Sequence, residues 1–237
     1  MNPDQLLEGL VFYVVFLFST TLHEAAHAWA AKRGGDLTAY HGGQVSLDPL
    51  PHIRREPFGM VVLPLIFVFI SGWPFGYASA PYDRHWAVRY PKRAAWMALA
   101  GPAGNLALVV LAALAINVGV LTGALEAPAS IAFGQVTAAV GAEGGAMGML
   151  AFFLSAVFSL NLLLAVLNLI PVPPLDGSGA LPLALSPRAT ARYQEFIWSQ
   201  PMLGWVGIMI AWRLLDYIFH PLWLAGVNLI YVGVAYS

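Results

Sequence analysis

The sequence contains no cysteine, and only 10 % of its 237 residues are charged. Without cysteine there are no disulfides and no thiolate ligands, so any metal must be bound by His, Asp or Glu. Apolar residues make up 59 % of the chain. A chain of this length cannot bury so much apolar surface in a water-soluble fold, because small folds keep much of their surface exposed. The composition therefore predicts an integral membrane protein in a lipid bilayer.

Basic runs and glycine-rich phosphate loops are also missing, so we expect no nucleic-acid partner. What the chain does contain is four long apolar stretches, each close to the roughly 20 residues that a membrane helix needs. They lie at about 9–31, 94–120, 148–170 and 201–219. Two weaker stretches lie at 58–75, which is broken by prolines, and at 221–236, which is short.

These stretches predict an all-α polytopic membrane protein with five or six transmembrane or re-entrant segments. We expect one membrane-embedded domain, 1–237, with a catalytic core at about 9–180 and C-terminal helices at about 200–236. Segment 36–48 has a Gly-Gly turn between two short runs of mixed polarity, which predicts a small β-hairpin after the first helix. A substrate in extended conformation could add to the edge of that hairpin.

The basic residues indicate how the helices are oriented. None of the eleven lies in residues 1–31 or 121–147. The positive-inside rule therefore predicts that the first helix ends in the cytoplasm at Lys32-Arg33. Stretch 58–75 must then begin and end on the cytoplasmic side, as a re-entrant element would.

One motif in the first helix carries recognisable chemistry. Residues His23-Glu24-Ala25-Ala26-His27 form the pattern H-E-x-x-H. In a helix, residues i and i+4 share a face, so both imidazoles can bind one Zn²⁺ with Glu24 beside it as a general base. Ionisable side chains inside an apolar segment are costly and usually functional.

A hydrolytic zinc site needs a third protein ligand. The sequence offers His41, His52, His85, His220, Asp48, Glu56 and Asp176. Asp176 is favoured because it follows the apolar run 148–170, on the side of the membrane where the two histidines lie. The prolines at 171, 173 and 174 would end that helix.

Three motifs together resemble the site-2 protease family of intramembrane zinc metalloproteases, peptidase family M50. They are His23-Glu24-Ala25-Ala26-His27, Ala100-Gly101-Pro102-Ala103-Gly104-Asn105, and Asn168 with Pro171 and Leu175-Asp176-Gly177. The resemblance implies Zn²⁺ held by His23, His27 and Asp176, with Glu24 as general base. It further implies that Asn168 contacts the substrate or a developing oxyanion, whereas Asn105 is favoured as a helix-packing residue.

The resemblance also implies transmembrane protein substrates and hydrolysis of peptide bonds in or near their membrane segments. We expect a minimal member without a PDZ or nucleotide-sensing domain, in the cell membrane of a prokaryote, with its active site toward the cytoplasm. Gating would then depend on the membrane segments, on 36–82, or on a regulatory membrane partner or a second copy of the chain. Water would reach the site along Asn105, Asn161 and Asn168.

Two alternatives use the same residues differently. A membrane zinc transporter or sensor would carry the ion on the two histidines, although transporters usually show an internal repeat that this sequence lacks. An inactive scaffold would bind membrane helices without cutting them. Glu24 between the histidines favours the enzyme.

Overall fold

The computed structural model describes residues 3–141, 145–200, 202–231 and 233–237, and most of these are helical. The helices are α1 Pro3–Gly34, α2 Thr38–His41, α3 Pro49–Arg55, α4 Leu63–Ser71, α5 Arg84–Arg89, α6 Pro91–Leu121, α7 Gly145–Leu169, α8 Asp176–Ala180, α9 Pro187–Ser199 and α10 Met202–Ile230. A π-helical turn, Phe58–Val62, precedes α4, and a 3-10 turn, Leu181–Leu183, follows α8.

Within the described residues, four helices are long and apolar enough to cross a membrane: α1, α6, α7 and α10. This confirms the all-α polytopic architecture and the first three predicted spans. The prediction of two C-terminal helices is wrong, because 201–219 and 221–236 belong largely to the single helix α10, with Pro221 inside it. Proline is tolerated in membrane helices, where neighbouring groups satisfy the freed carbonyl.

Segment 58–75 has its two ends close together. The apolar helix Phe58–Ser71 is shorter than the four spans. After Gly72 the chain runs back beside its own start, where the Tyr77 amide donates to the Gly59 carbonyl at 3.1 Å. The Ser79 hydroxyl then donates to the Glu56 carboxylate at 2.6 Å. The segment therefore begins and ends at the same level, as the re-entrant prediction requires.

The β-hairpin predicted at 36–48 is absent. Asp36 accepts hydrogen bonds from the Thr38 amide and hydroxyl, at 2.9 and 2.6 Å, and the chain starts helix α2 there. Such local side-chain bonds compete with a strand ladder. The structure instead has a short antiparallel pair, β1 Leu125–Glu126 with β2 Ala138–Ala139, in the loop between α6 and α7. The proposed docking of substrate on an edge at 36–48 is therefore wrong.

Helices α1, α6 and α7 form the core that positions the site. His27 contacts Met97 and His23 contacts Asn105, so α6 runs antiparallel to α1. Phe12 packs on Phe152, and farther along α1 Ser19 contacts Asn161, so α7 runs parallel to α1. The C-terminal half of α1 thus faces the end of α7, beyond which α8 begins.

Candidate metal centre

The two histidines of α1 are buried side by side within the membrane helices. His23 is 6 % exposed and His27 is 5 % exposed. Their i, i+4 spacing places them one above the other on one helix face. Their Nε2 atoms lie 3.0 Å apart. Both rings therefore present a nitrogen to the same point.

Asp176 reaches that point from the end of α7. Helix α7 ends at Leu169, and α8 begins at Asp176 after the predicted proline-rich turn. The Asp176 Oδ2 lies 3.0 Å from His23 Nε2 and 3.3 Å from His27 Nε2. Burial opposes ionisation of Asp176, but the contacts with the two histidines outweigh it and hold the pKa of its carboxyl well below its usual range.

Gly177 allows the carboxylate to come this close. A Cβ at position 177 would collide with the backbone carbonyls of Leu169 and Ile170. The turn of α8 therefore packs directly on the end of α7. Here the Asp-Gly pair serves helix packing as well as presenting the carboxylate.

The three side chains fit a zinc ion. Tetrahedral zinc with bonds of about 2.0–2.2 Å places its ligand atoms about 3.3–3.6 Å apart, within a few tenths of an ångström of what is found here. The three atoms of this site are separated by 3.0 to 3.3 Å. Two imidazoles and one carboxylate also match the ligands of hydrolytic zinc sites, which leave a fourth position open. Among the described residues, His23, His27 and Asp176 are the group that could hold a metal ion.

Each histidine is held by its other ring nitrogen. His27 Nδ1 lies 2.7 Å from the Met97 carbonyl, which can only accept a hydrogen bond. His23 Nδ1 lies 2.5 Å from Asn105 Oδ1, which is likewise an acceptor. Both rings therefore carry a proton on Nδ1, which leaves Nε2 as the nitrogen that can bind a metal.

Gly101 of α6 leaves room for both rings. A Cβ at this position would lie against the Nε2 atoms of His23 and His27. Gly104, one turn further along, is different, because its Cβ would make ordinary contact with Ala26 at 3.5 Å. Of these two glycines, only Gly101 is required by the metal centre.

The remaining predicted residues lie at varying distance from the centre. Glu24 is 6 % exposed, follows His23 on α1, and interacts electrostatically with His27. Asn168 lies near the end of α7, where its side chain donates to the Leu164 carbonyl of its own helix at 3.0 Å. The structure thus brings Glu24 to the metal centre, whereas Asn168 turns back along α7.

The other candidate ligands have different roles or surroundings. His52 is buried and bonds to the Ser46 carbonyl, Asp48 caps α3 through the Leu50 amide, and Glu56 accepts from Ser79. His41, His85 and His220 are exposed on other parts of the molecule.

Two asparagines have roles that the sequence analysis missed. Asn105 contacts His23 directly, so it does more than pack helices, and Asn161 contacts Asn105 at 2.8 Å. Both are fully buried, so they do not line an open water channel. The sequence did contain a signal for both roles, because polar side chains inside apolar membrane helices usually have a function.

Comparisons with known proteins show which family the chain belongs to. The model of peptidase family M50 matches residues 11–206. YwhC of Bacillus subtilis (strain 168) is 31 % identical over 193 residues, covering 81 % of this chain and 76 % of YwhC. Rip2 of Mycolicibacterium smegmatis is 33 % identical over 172 residues, covering 73 % of this chain and 56 % of Rip2. Rip2 of Mycobacterium tuberculosis is 32 % identical over 223 residues, covering 89 % of this chain and 76 % of Rip2.

Each of these relatives is named as a provisional zinc metalloprotease. No solved structure matches the chain. A buried group of two histidines and a carboxylate is typical of hydrolytic zinc sites, and the family match specifies the kind of hydrolase. The chain belongs to peptidase family M50, the site-2 protease family, and is a zinc metalloprotease.

Proposed function

We propose that this protein is an intramembrane zinc protease, which hydrolyses peptide bonds in or near the transmembrane segments of other membrane proteins. The observation that carries the proposal is the depth of the metal centre. His23 lies eleven residues before the end of α1 at Gly34, or about 16 Å along the helix axis. The headgroup layer is only about 5–7 Å thick on each side. With Lys32 and Arg33 at the membrane surface, a peptide bond would come to the site within the hydrocarbon region.

The proposed roles follow from the chemistry of each side chain. His23, His27 and Asp176 hold the zinc. When bound, zinc acts as a Lewis acid that acidifies water and polarises a substrate carbonyl. Glu24 takes the proton from the attacking water on its carboxylate and passes it to the amine that leaves.

Asn168 is proposed to act on the substrate instead of the metal. Its amide is a hydrogen-bond donor at the end of α7, eight residues before Asp176. If it rotates away from the Leu164 carbonyl, it can donate to the substrate carbonyl as negative charge develops there. Such a donor contributes most when its position is fixed before the reaction.

The positions of the basic residues support a cytoplasmic location for the active site. Lys32 and Arg33 lie in the last turn of α1, which is the end nearer the metal centre. Lys92 and Arg93 lie at the start of α6, which packs beside that end. Since positive charge is concentrated on the cytoplasmic side of membrane proteins, the site lies closer to the cytoplasm.

Substrates must present an accessible peptide carbonyl. In a helix each carbonyl is hydrogen-bonded and shielded, so a transmembrane substrate has to unwind locally before it is cut. We expect the protein to prefer segments that contain helix-destabilising residues such as glycine or proline.

The Glu24→Gln variant tests the enzymatic part of the proposal. It should bind zinc as tightly as the wild type, yet cleave a transmembrane substrate in liposomes about 10²- to 10⁴-fold more slowly, because the general base is lost. Glu8→Gln removes a carboxylate from the exposed, opposite end of α1 and is the matched control. Unaltered cleavage by Glu24→Gln would leave the transporter and the scaffold as the better explanations.

The position of the cut tests the intramembrane part. Mass spectrometry of the fragments should place the cleaved bond within, or a few residues from, the apolar segment of the substrate. If every cut falls in water-exposed loops far from the bilayer, the protein is a zinc protease that acts outside the membrane.

A further inference from the structure

Behind His23, buried polar side chains connect three helices. Asn105 Nδ2 on α6 donates to Asn161 Oδ1 on α7 at 2.8 Å and to the Ser19 carbonyl on α1 at 3.4 Å. Asn161 Nδ2 donates to Ser19 Oγ at 2.9 Å and to the Val157 carbonyl at 2.8 Å. Both asparagines have 0 % exposure. Neither is thus reached by bulk water that could replace these bonds.

The direction of every bond in this network is fixed by groups that can only accept. The Val157 carbonyl accepts from Asn161, so the amide nitrogen of Asn161 must face it and the amide oxygen must face Asn105. The Asn161 amide oxygen and the Ser19 carbonyl are both acceptors, so the Asn105 amide nitrogen must point toward them. Asn105 therefore turns its oxygen toward His23.

The orientation of Asn105 decides which nitrogen of His23 carries the proton. An amide oxygen can only accept, so His23 Nδ1 must donate, and Nε2, which faces Asp176 and His27, is the nitrogen left to bind a metal. A reversed Asn105 would present donors to Nδ1 and favour the proton on Nε2, where it would block metal binding. Outer partners of this kind set the tautomer of metal-binding histidines.

We infer that Asn161 is a positioning residue for the zinc site, which acts through Asn105 to keep His23 in the metal-binding tautomer. Ser19 supports the same arrangement through its carbonyl and hydroxyl. Asn161 lies outside the three motifs that indicate the family and touches neither zinc ligand nor substrate in this network. The inference rests on the proposed role of His23 as a ligand.

Zinc affinity measured by chelator competition on the full-length protein in detergent tests the inference. Asn105→Ala should weaken zinc binding by about 10- to 100-fold, which is typical of outer-shell partners of a metal site. Asn161→Leu, of similar volume, should weaken it by about tenfold. In the Asn105→Ala background, Asn161→Leu should add no further loss, because Asn161 acts only through Asn105.

Ser159→Ala is the matched control on the same helix. It removes a buried hydrogen bond from Trp223 Nε1, at 2.9 Å, that belongs to the contact with α10. It should lower thermal stability and leave zinc affinity unchanged. Should Asn161→Leu fail to fold, Asn161→Ala removes the same amide without adding branched bulk.

A second measurement separates positioning from stability. In zinc-loaded protein with ¹⁵N-labelled histidine, the His23 signal should show the proton on Nδ1 and zinc on Nε2, and Asn161→Leu should lower the share of molecules with this pattern. The signal is assigned by its loss in His23→Ala.

The inference would be overturned if both Asn161 variants bound zinc as tightly as the wild type. It would also be overturned if Asn161→Leu lowered zinc affinity by the same factor in the wild type and in the Asn105→Ala background. Neither result would affect the proposed function as long as His23→Ala abolishes zinc binding. If His23→Ala binds zinc normally, the proposed function itself fails.

Discussion

The two halves of α1 are buried against neighbouring elements by different kinds of interaction. In the N-terminal half, Phe12 packs against Trp73, Phe133 and Phe152 with ring centroids 4.4 to 6.1 Å apart. In the C-terminal half, six of the nine residues from Ser19 to His27 are buried polar or ionisable side chains. Packing of apolar rings holds the first half in place, whereas the second half is held by hydrogen bonds, which have a fixed direction.

This difference shows how one helix can combine stability with chemistry. Apolar contacts have no direction, so a core of aromatic rings tolerates changes that keep its volume. A buried polar network allows only arrangements in which each donor meets an acceptor. Substitutions in the apolar half should therefore change the free energy of unfolding, and substitutions in the polar half should change zinc affinity.

The largest effect is expected from Gly101→Ala at the polar half. The new methyl group would lie against Nε2 of both histidines and force them apart. We expect zinc affinity to fall by at least about 100-fold, the upper end for disturbed metal sites, and proteolysis to be lost. Gly104→Ala, whose methyl group makes ordinary contacts, should behave like the wild type. If Gly101→Ala binds zinc normally, the two rings do not converge as described.

A large effect of another kind is expected from Phe12→Ala at the apolar half. Removing the ring leaves a cavity among three aromatic side chains, which should lower the free energy of unfolding by about 3 kcal/mol. Zinc affinity of the folded protein should stay at the wild-type value. Phe12→Leu should cost less than about 1.5 kcal/mol. A fall in zinc affinity with Phe12→Ala would mean that the two halves are coupled.

The smallest effect is expected from removing zinc. At a free zinc concentration 100 times the Kd, the ion stabilises the folded state by about 2.7 kcal/mol. A chelator should therefore lower the unfolding temperature of wild type and Phe12→Ala by similar amounts, and added zinc should restore it. The same chelator should leave Gly101→Ala unchanged. A chelator-dependent shift in that variant would show that zinc binds elsewhere on the chain.

Local pattern alone predicted some elements correctly and failed for others. The apolar spans at 9–31, 94–120 and 148–170 could be read directly, because a lipid-facing helix must be apolar along its length. The hairpin predicted at 36–48 was wrong, because its signal was a few turn-forming residues. The division of 201–236 into two stretches was also wrong, since α10 is one helix. The two hydrogen bonds that Asp36 accepts from Thr38 favour the start of α2 over a strand, and α10 continues through Pro221.

The sequence by itself determined the membrane character, the main helices and the motif His23-Glu24-Ala25-Ala26-His27, because these depend on composition and on helical periodicity. The sequence favoured Asp176 among seven candidate ligands, but only the tertiary structure brings its carboxylate within 3.0 Å of His23, from which it is 153 residues away along the chain. It also gave Asn105 and Asn161 their place behind the metal centre. Packing at positions such as Gly101 and Gly177 sets the distances between helices, and these distances cannot be predicted from a local sequence pattern.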